Sequence, residues 1–332
     1  STGASGRSFS QKPIPLKKTS RLLFKAKGVS AMDVAVITEG LQFPEGPVAL
    51  SDGSVLVVEI QRGTLTRVAE DGTQSIVAEL GGGPNGAALG PDGHCYICNN
   101  GGFEWHEARD GRVFPGEQPE NYTGGRIERV NLDTGSVETL YEACNGERLK
   151  GPNDLVFDQT GGFWFTDHGK TRPRTRDRTG VFYAAADGSR IQEVIFPMEA
   201  PNGIGLSPDE KTLYVAETPT GRLWAYAIAA PGEVDVSVPR RMLAQRPDFH
   251  MFDSLAVDAS GHVCVATLIT GGITSHSPDG STVDFFAMPD VLTTNIAFGG
   301  EDLQTAYITL SSTGKLVKAA WPTPGLRLNF QA

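Results

Sequence analysis

At 332 residues, with 40 glycines and 21 prolines, the chain is punctuated like a protein of many short strands, and beyond its first thirty residues it holds no helical stretch. The net charge of −10 conceals a basic arm, because residues 1 to 32 hold seven Lys or Arg and no acid, which leaves 22 basic against 39 acidic residues in the body. Such a body lacks the positive footprint that phosphate binding needs, which argues against nucleic acid as the partner, and no apolar run approaches the roughly 20 residues of a membrane span.

Taken in chain order, residues 1–30 form a basic arm expected to be partly disordered, 31–322 the folded body, and 323–332 a C-terminal tail. Asp33 to Thr38 reads as a strand with no repeat of its own. From there one pattern recurs six times: a polar residue, an apolar run, a turn, a second strand, a glycine and a third strand. The turns include Ser51-Asp-Gly53, Pro91-Asp-Gly93, Gln159-Thr-Gly161 and Ala259-Ser-Gly261, which suit hairpins. The strands after them are Ser54 to Glu59, His94 to Cys98, Phe163 to Thr166, Thr212 to Ala216, His262 to Ala266 and Thr305 to Thr309, rich in β-branched, aromatic and apolar residues. A fourth strand follows most repeats. Four antiparallel strands per repeat of about 40 to 50 residues predict an all-β, six-bladed β-propeller. The sixth repeat ends near Trp321 with little chain left for an outer strand, so the N-terminal strand is expected to complete blade six and remove the open edge.

One interval is longer. Residues 103–123 insert a Pro/Gly/Glu-rich loop whose Phe103, Trp105 and His106 either lid the channel mouth or pack on themselves. Cys95 and Cys98 form a CxxC, but their odd separation on a strand sends the side chains to opposite faces, which argues against a redox or zinc role. Few scattered thiols and no secretory leader point to a cytoplasmic protein. Gly81-Gly-Gly-Pro-Asn-Gly86 matches a dinucleotide-loop pattern, yet it holds a proline and leads into a strand.

The six polar residues that open the repeats are Glu45, Asn85, Asn153, Asn202, Asp253 and Asn295. Pseudosymmetry places equivalent positions around one axis, so these side chains should converge. Two carboxylates and four amides at one place make a site for a hard divalent cation, Ca2+ first, with Mg2+ or Mn2+ also open; zinc would want His or Cys there.

Phe43-Pro-Glu-Gly-Pro47, Gly151-Pro-Asn-Asp-Leu155 with Phe163-Trp-Phe-Thr-Asp167, Ala200-Pro-Asn-Gly-Ile204 with Leu213-Tyr-Val-Ala216, and Asp253-Ser-Leu-Ala-Val-Asp258 resemble the gluconolactonase, regucalcin (senescence marker protein) and luciferin-regenerating enzyme family over about residues 33 to 320. The resemblance implies a six-bladed propeller with a divalent metal in its channel. It implies Glu45, Asn153, Asn202 and Asp253 as metal ligands, with Asn153 leaning toward substrate in some relatives, and Asp253 as the catalytic residue. The implied reaction is hydrolysis of a sugar-acid or related lactone, the metal polarising the carbonyl and Asp253 activating water. Phosphotriester hydrolysis and a non-catalytic calcium-binding propeller are the alternatives. Asn85, Asn295 and His168 are further candidates for substrate contact, His168 because it follows a strand end at Asp167.

Overall fold

The structure, a computed structural model, describes residues 29–245 and 250–331. All regular elements among them are strands, and six main antiparallel sheets form the blades of a propeller. The innermost strands are Pro44–Ala49, Pro84–Leu89, Pro152–Phe157, Pro201–Leu206, Met251–Val257 and Thr293–Gly299, one per blade. Each blade then builds outward in chain order, as in blade 1 through Val55–Glu59, Thr64–Val68 and Gln74–Glu79.

Closure of the ring follows the sequence expectation. Val34–Thr38 pairs antiparallel with Lys315–Ala320, Val34 opposite Ala319 and Val36 opposite Val317, and supplies the outer strand of blade 6. One strand lies outside that expectation: Val29–Ala31 runs parallel to Val283–Ala287 and adds a fifth strand to blade 5. Residues 1–28 of the basic arm lie outside the described residues.

Apolar clusters between successive blades hold the ring. Tyr96 and Cys98 pack between blades 2 and 3 with Phe157, Phe163 and Phe165, whereas Cys95 and Ile97 face the other way, against Leu56 and Val58 of blade 1. The alternation along one strand thus feeds two interfaces. At roughly 25 cal/mol per Å² of apolar surface buried, these interfaces are the main favourable term in the fold.

The tail is a strap, not a free end. Leu326 N–H donates to the Val257 carbonyl at 2.9 Å. Asn329 Nδ2 donates to the Phe157 carbonyl at 3.1 Å and to Glu210 Oε1 at 2.5 Å. Gln331 Nε2 donates to the Phe298 carbonyl at 2.9 Å. The strap thereby touches blades 3, 4, 5 and 6 and covers a cavity at one end of the central channel, lined by Asp154, Asn295, Leu326 and Asn329 among others.

Candidate active site

Each axial residue stands early in an innermost strand, and each of those strands breaks its pairing register there: between Glu45 and Val48, Pro84 and Ala87, Pro152 and Leu155, Pro201 and Ile204, Phe252 and Leu255, Thr293 and Asn295. A bulge leaves one residue out of the ladder and re-aims its side chain. Glycine often follows, and the reason is crowding. A Cβ at Gly46, whose φ is +50°, would lie 2.5 Å from the Asn85 carbonyl oxygen, and one at Gly203 would lie 2.7 Å from the Asp253 carbonyl oxygen. The Pro-x-Gly signature therefore marks strands that nearly touch at the axis.

Glu45, Asn85, Asn153, Asn202 and Asp253 all line one cavity of about 330 Å³ at the mouth of the channel, and His168 lines it too. Asn295 sits differently. It borders the strapped cavity at the other end, and its Nδ2 donates to Glu45 Oε2 at 2.8 Å while its Oδ1 accepts the Ile296 N–H at 2.8 Å. Asn295 thus orients Glu45, which also accepts the Gly46 N–H at 2.9 Å. Asn202 donates from Nδ2 to Thr218 Oγ1 at 3.0 Å, and its Oδ1 receives the Ser254 hydroxyl at 3.4 Å. Asn153 Oδ1 is buried with no hydrogen-bond partner.

Electrostatically the axis is lopsided. Burial pushes the Glu45 carboxyl above its ordinary value, partly offset by Asn295. Asp253 is pushed well above its own by burial and then by the charges of Glu45 and Asp154. Asp154, which sequence reasoning passed over, is pushed up to about 7 by burial and by Glu45. It belongs to the Gly151-Pro-Asn-Asp-Leu155 motif, so its signal was present as the residue beside Asn153, but nothing in the repeat register pointed to it.

Three buried acids with no ion-pair partner among the described residues, beside the amides of Asn85, Asn153 and Asn202, fit a hard divalent cation. No group of three or more His, Cys, Asp or Glu among the described residues is arranged to hold an ion, so amide oxygens would have to complete any shell. The unpartnered Asn153 Oδ1 answers that requirement.

His168 is held neutral: burial, with help from the Arg176 charge, pushes it down to about 3, and its Nδ1 lies 3.4 Å from the Gly169 carbonyl. The insertion crosses the mouth as a short hairpin, Trp105–Glu107 with Val113–Pro115. Val113 N–H donates to the Ser312 carbonyl on blade 6 at 3.0 Å, and Gln118 N–H to Thr171 on blade 3 at 3.0 Å. Trp105 packs on Phe43 with ring centroids 5.1 Å apart. Beneath it the buried Lys170 donates from Nζ to the Gly102 carbonyl at 2.5 Å and to Asn100 Oδ1 at 3.1 Å, with the Phe103 ring 4.0 Å away. The insertion shows parts of both readings: Phe103 and Phe114 line the mouth cavity, while Trp105 packs on Phe103 with ring centroids 6.1 Å apart as well as on Phe43.

Comparison with known proteins places this geometry. The model of the SMP-30/Gluconolactonase/LRE-like region matches residues 43–312. A gluconolactonase of Zymomonas mobilis is 26% identical over 309 residues, covering 84% of this chain and 79% of its own. A 6-deoxy-6-sulfogluconolactonase of Pseudomonas putida is 32% identical over 195 residues, covering 57% of this chain and 64% of that protein. Among solved structures, a gluconolactonase of Xanthomonas campestris superposes with a TM-score of 0.70 at 23% identity, over 89% of this chain and 91% of that one.

Proposed function

The chain belongs to the SMP-30/gluconolactonase/LRE-like family, and from that premise we propose that it is a lactonase-type hydrolase opening a small cyclic ester at the axial oxygen cluster. The observation that carries the reading is the mouth cavity itself, which gathers Glu45, Asn85, Asn153, Asn202 and Asp253. Glu45, Asn153, Asn202 and Asp253 are the residues that would hold a hard divalent cation, calcium first, with magnesium or manganese meeting the same oxygen donors. When bound, such a cation supplies Lewis acidity toward the lactone carbonyl.

The remaining work falls to side chains. Asp253 is the general base: a bound cation lowers the basicity of its carboxylate, so it takes the proton of the attacking water on the oxygen that it leaves free of the cation. Asn295 and Gly46 fix Glu45 so that its orientation does not drift as charge develops. Asn85 lines the same cavity and contacts substrate. His168, pushed down by burial, is too weak a base to take up a proton near neutral pH and offers substrate a neutral hydrogen-bonding ring. A cavity of about 330 Å³ suits a small molecule as the partner. Four free, buried cysteines support a cytoplasmic setting.

The test is hydrolysis of aldonolactones and simple lactones by metal-stripped and calcium-reloaded protein, with calcium binding measured separately. Lactone opening that needs calcium, and that is lost in Asp253→Asn while calcium still binds, supports the reading. Phosphotriester cleavage without lactone opening, or calcium binding with neither activity, refutes it.

A further inference from the structure

The mouth cavity has two unlike halves. The axial floor is oxygen-rich, but the wall above it is apolar. The insertion contributes Phe103, Phe114 and Pro115, and the blades answer with Phe43, Ile60 and Leu292. All of these but Pro115 form one apolar cluster with Leu268 and Met251, so the wall is continuous from the insertion across to blades 1, 5 and 6.

Several polar groups of that wall are committed elsewhere, and the donors left over are the terminal nitrogens of Arg176, at the wall's polar edge. Thr218 Oγ1 receives Asn202 Nδ2 at 3.0 Å. Arg176 donates from Nε to Thr171 Oγ1 at 3.1 Å, and Thr294 bonds the Thr309 and Ser311 hydroxyls. A sugar lactone carries a hydroxyl on nearly every ring carbon, and each would lose water against this wall without a partner to replace it. An alkyl or aryl group would gain from the same surface.

We infer that the cavity selects lactones bearing an apolar alkyl or aryl substituent, seated against the pinned hairpin through Phe114, over polyhydroxylated sugar lactones; this rests on the lactonase reading above. Phe114 is the discriminating residue because it is brought over the site by the insertion alone. Its hairpin is held by backbone bonds at Val113 and Gln118 that do not involve its ring.

The experiment compares δ-valerolactones with 5-alkyl chains of increasing length, glucono-δ-lactone and a carboxylate-bearing lactone. Binding of the matching 5-alkyl lactams, which resist opening, is measured by calorimetry on the calcium-loaded protein. For the wild type, kcat/KM and lactam affinity should each rise about fourfold per methylene until the wall is covered. Phe114→Ala should flatten both series through KM, so that the ratio of alkyl-lactone to glucono-δ-lactone turnover falls, and Phe114→Leu should restore most of the slope. A flat alkyl series, or preference for the polyhydroxylated or anionic lactone, overturns the inference while leaving the lactonase reading intact. Chain-length-dependent lactam binding by a protein that opens no lactone would sink the lactonase reading and uphold the apolar site.

Discussion

Glu45→Gln separates the two roles of the axial acid. Glu45 is 2% exposed, and the donors that face it, Asn295 Nδ2 and Gly46 N–H, are neutral. Its near charges are the carboxylates of Asp253 and Asp154, so in the absence of a cation it adds charge where none is compensated. Glutamine keeps an amide oxygen for both donors and removes the charge. In chelator the variant should therefore gain stability, by about 1–3 kcal/mol, the usual scale for an uncompensated buried polar group. For a chain of this length each kcal/mol moves the midpoint by roughly 2 °C, so its Tm should lie about 2–6 °C above the wild type.

In calcium the gap closes or reverses. At a hundredfold excess over Kd, the wild type should gain about 2.7 kcal/mol by linkage, or roughly 5 °C, and the variant close to nothing. The assay is thermal melting of both proteins in EDTA and in calcium, followed by near-UV circular dichroism so that loss of tertiary packing is what is scored. A variant less stable than the wild type in EDTA would refute the argument, because it would mean that Glu45 holds the apo fold together. An equal calcium shift in both proteins would refute the ligand assignment.

Three further outcomes follow from the same geometry. Burial pushes Lys170 down to about 7, against the partial pull of Asp167 and Asp177, so the unfolded chain binds the extra proton between about pH 7 and 10. Native stability should rise with pH across that window by up to ~1.4 kcal/mol per unit, with the penalty complete below pH 7; Lys170→Met should lose that slope in urea titrations, and parallel profiles would contradict the burial argument. Asn329→Ala removes the strap's bonds to Phe157 and Glu210 and should lower stability by about 1–3 kcal/mol in urea, whereas an unchanged midpoint would show that the strap is held by its neighbours alone. The four thiols are buried, with Cys95 and Cys264 pushed up to about 12, so a thiol reagent should label none in the native protein and all four in urea; rapid labelling of one would show an opening of its blade interface.

The blades were legible because each repeat carries its own turn chemistry and strand periodicity, and because the strand at Asp33–Thr38 had no repeat to belong to. Convergence of five of the six axial residues in one cavity followed from their shared offset. The structure adds the bulge that aims each of them. Asn295 shows the limit of register: its position is equivalent, but its amide is turned to Glu45 by a hydrogen bond that repeat spacing cannot encode. Asp154 was hidden for a related reason, since it follows Asn153 directly and becomes visible as a third axial acid only when the strands from different blades are brought together.

The insertion marks the harder boundary between sequence and function. Its aromatic content allowed two opposite readings, and the structure holds parts of both: Phe103 lines the mouth cavity, and Trp105 packs on Phe103 as well as on Phe43. Backbone bonds from Val113 to Ser312 and from Gln118 to Thr171 fix the insertion to blades 6 and 3, contacts that local sequence does not encode. The apolar wall of the mouth cavity thus depends on contacts between distant parts of the chain, while the oxygen floor comes from residues repeated with the blades. On this view the chemistry resides in the pseudosymmetric part of the molecule and the choice of substrate in the part that breaks the symmetry, so changes within 103–123 should redirect specificity without disturbing the axial carboxylates.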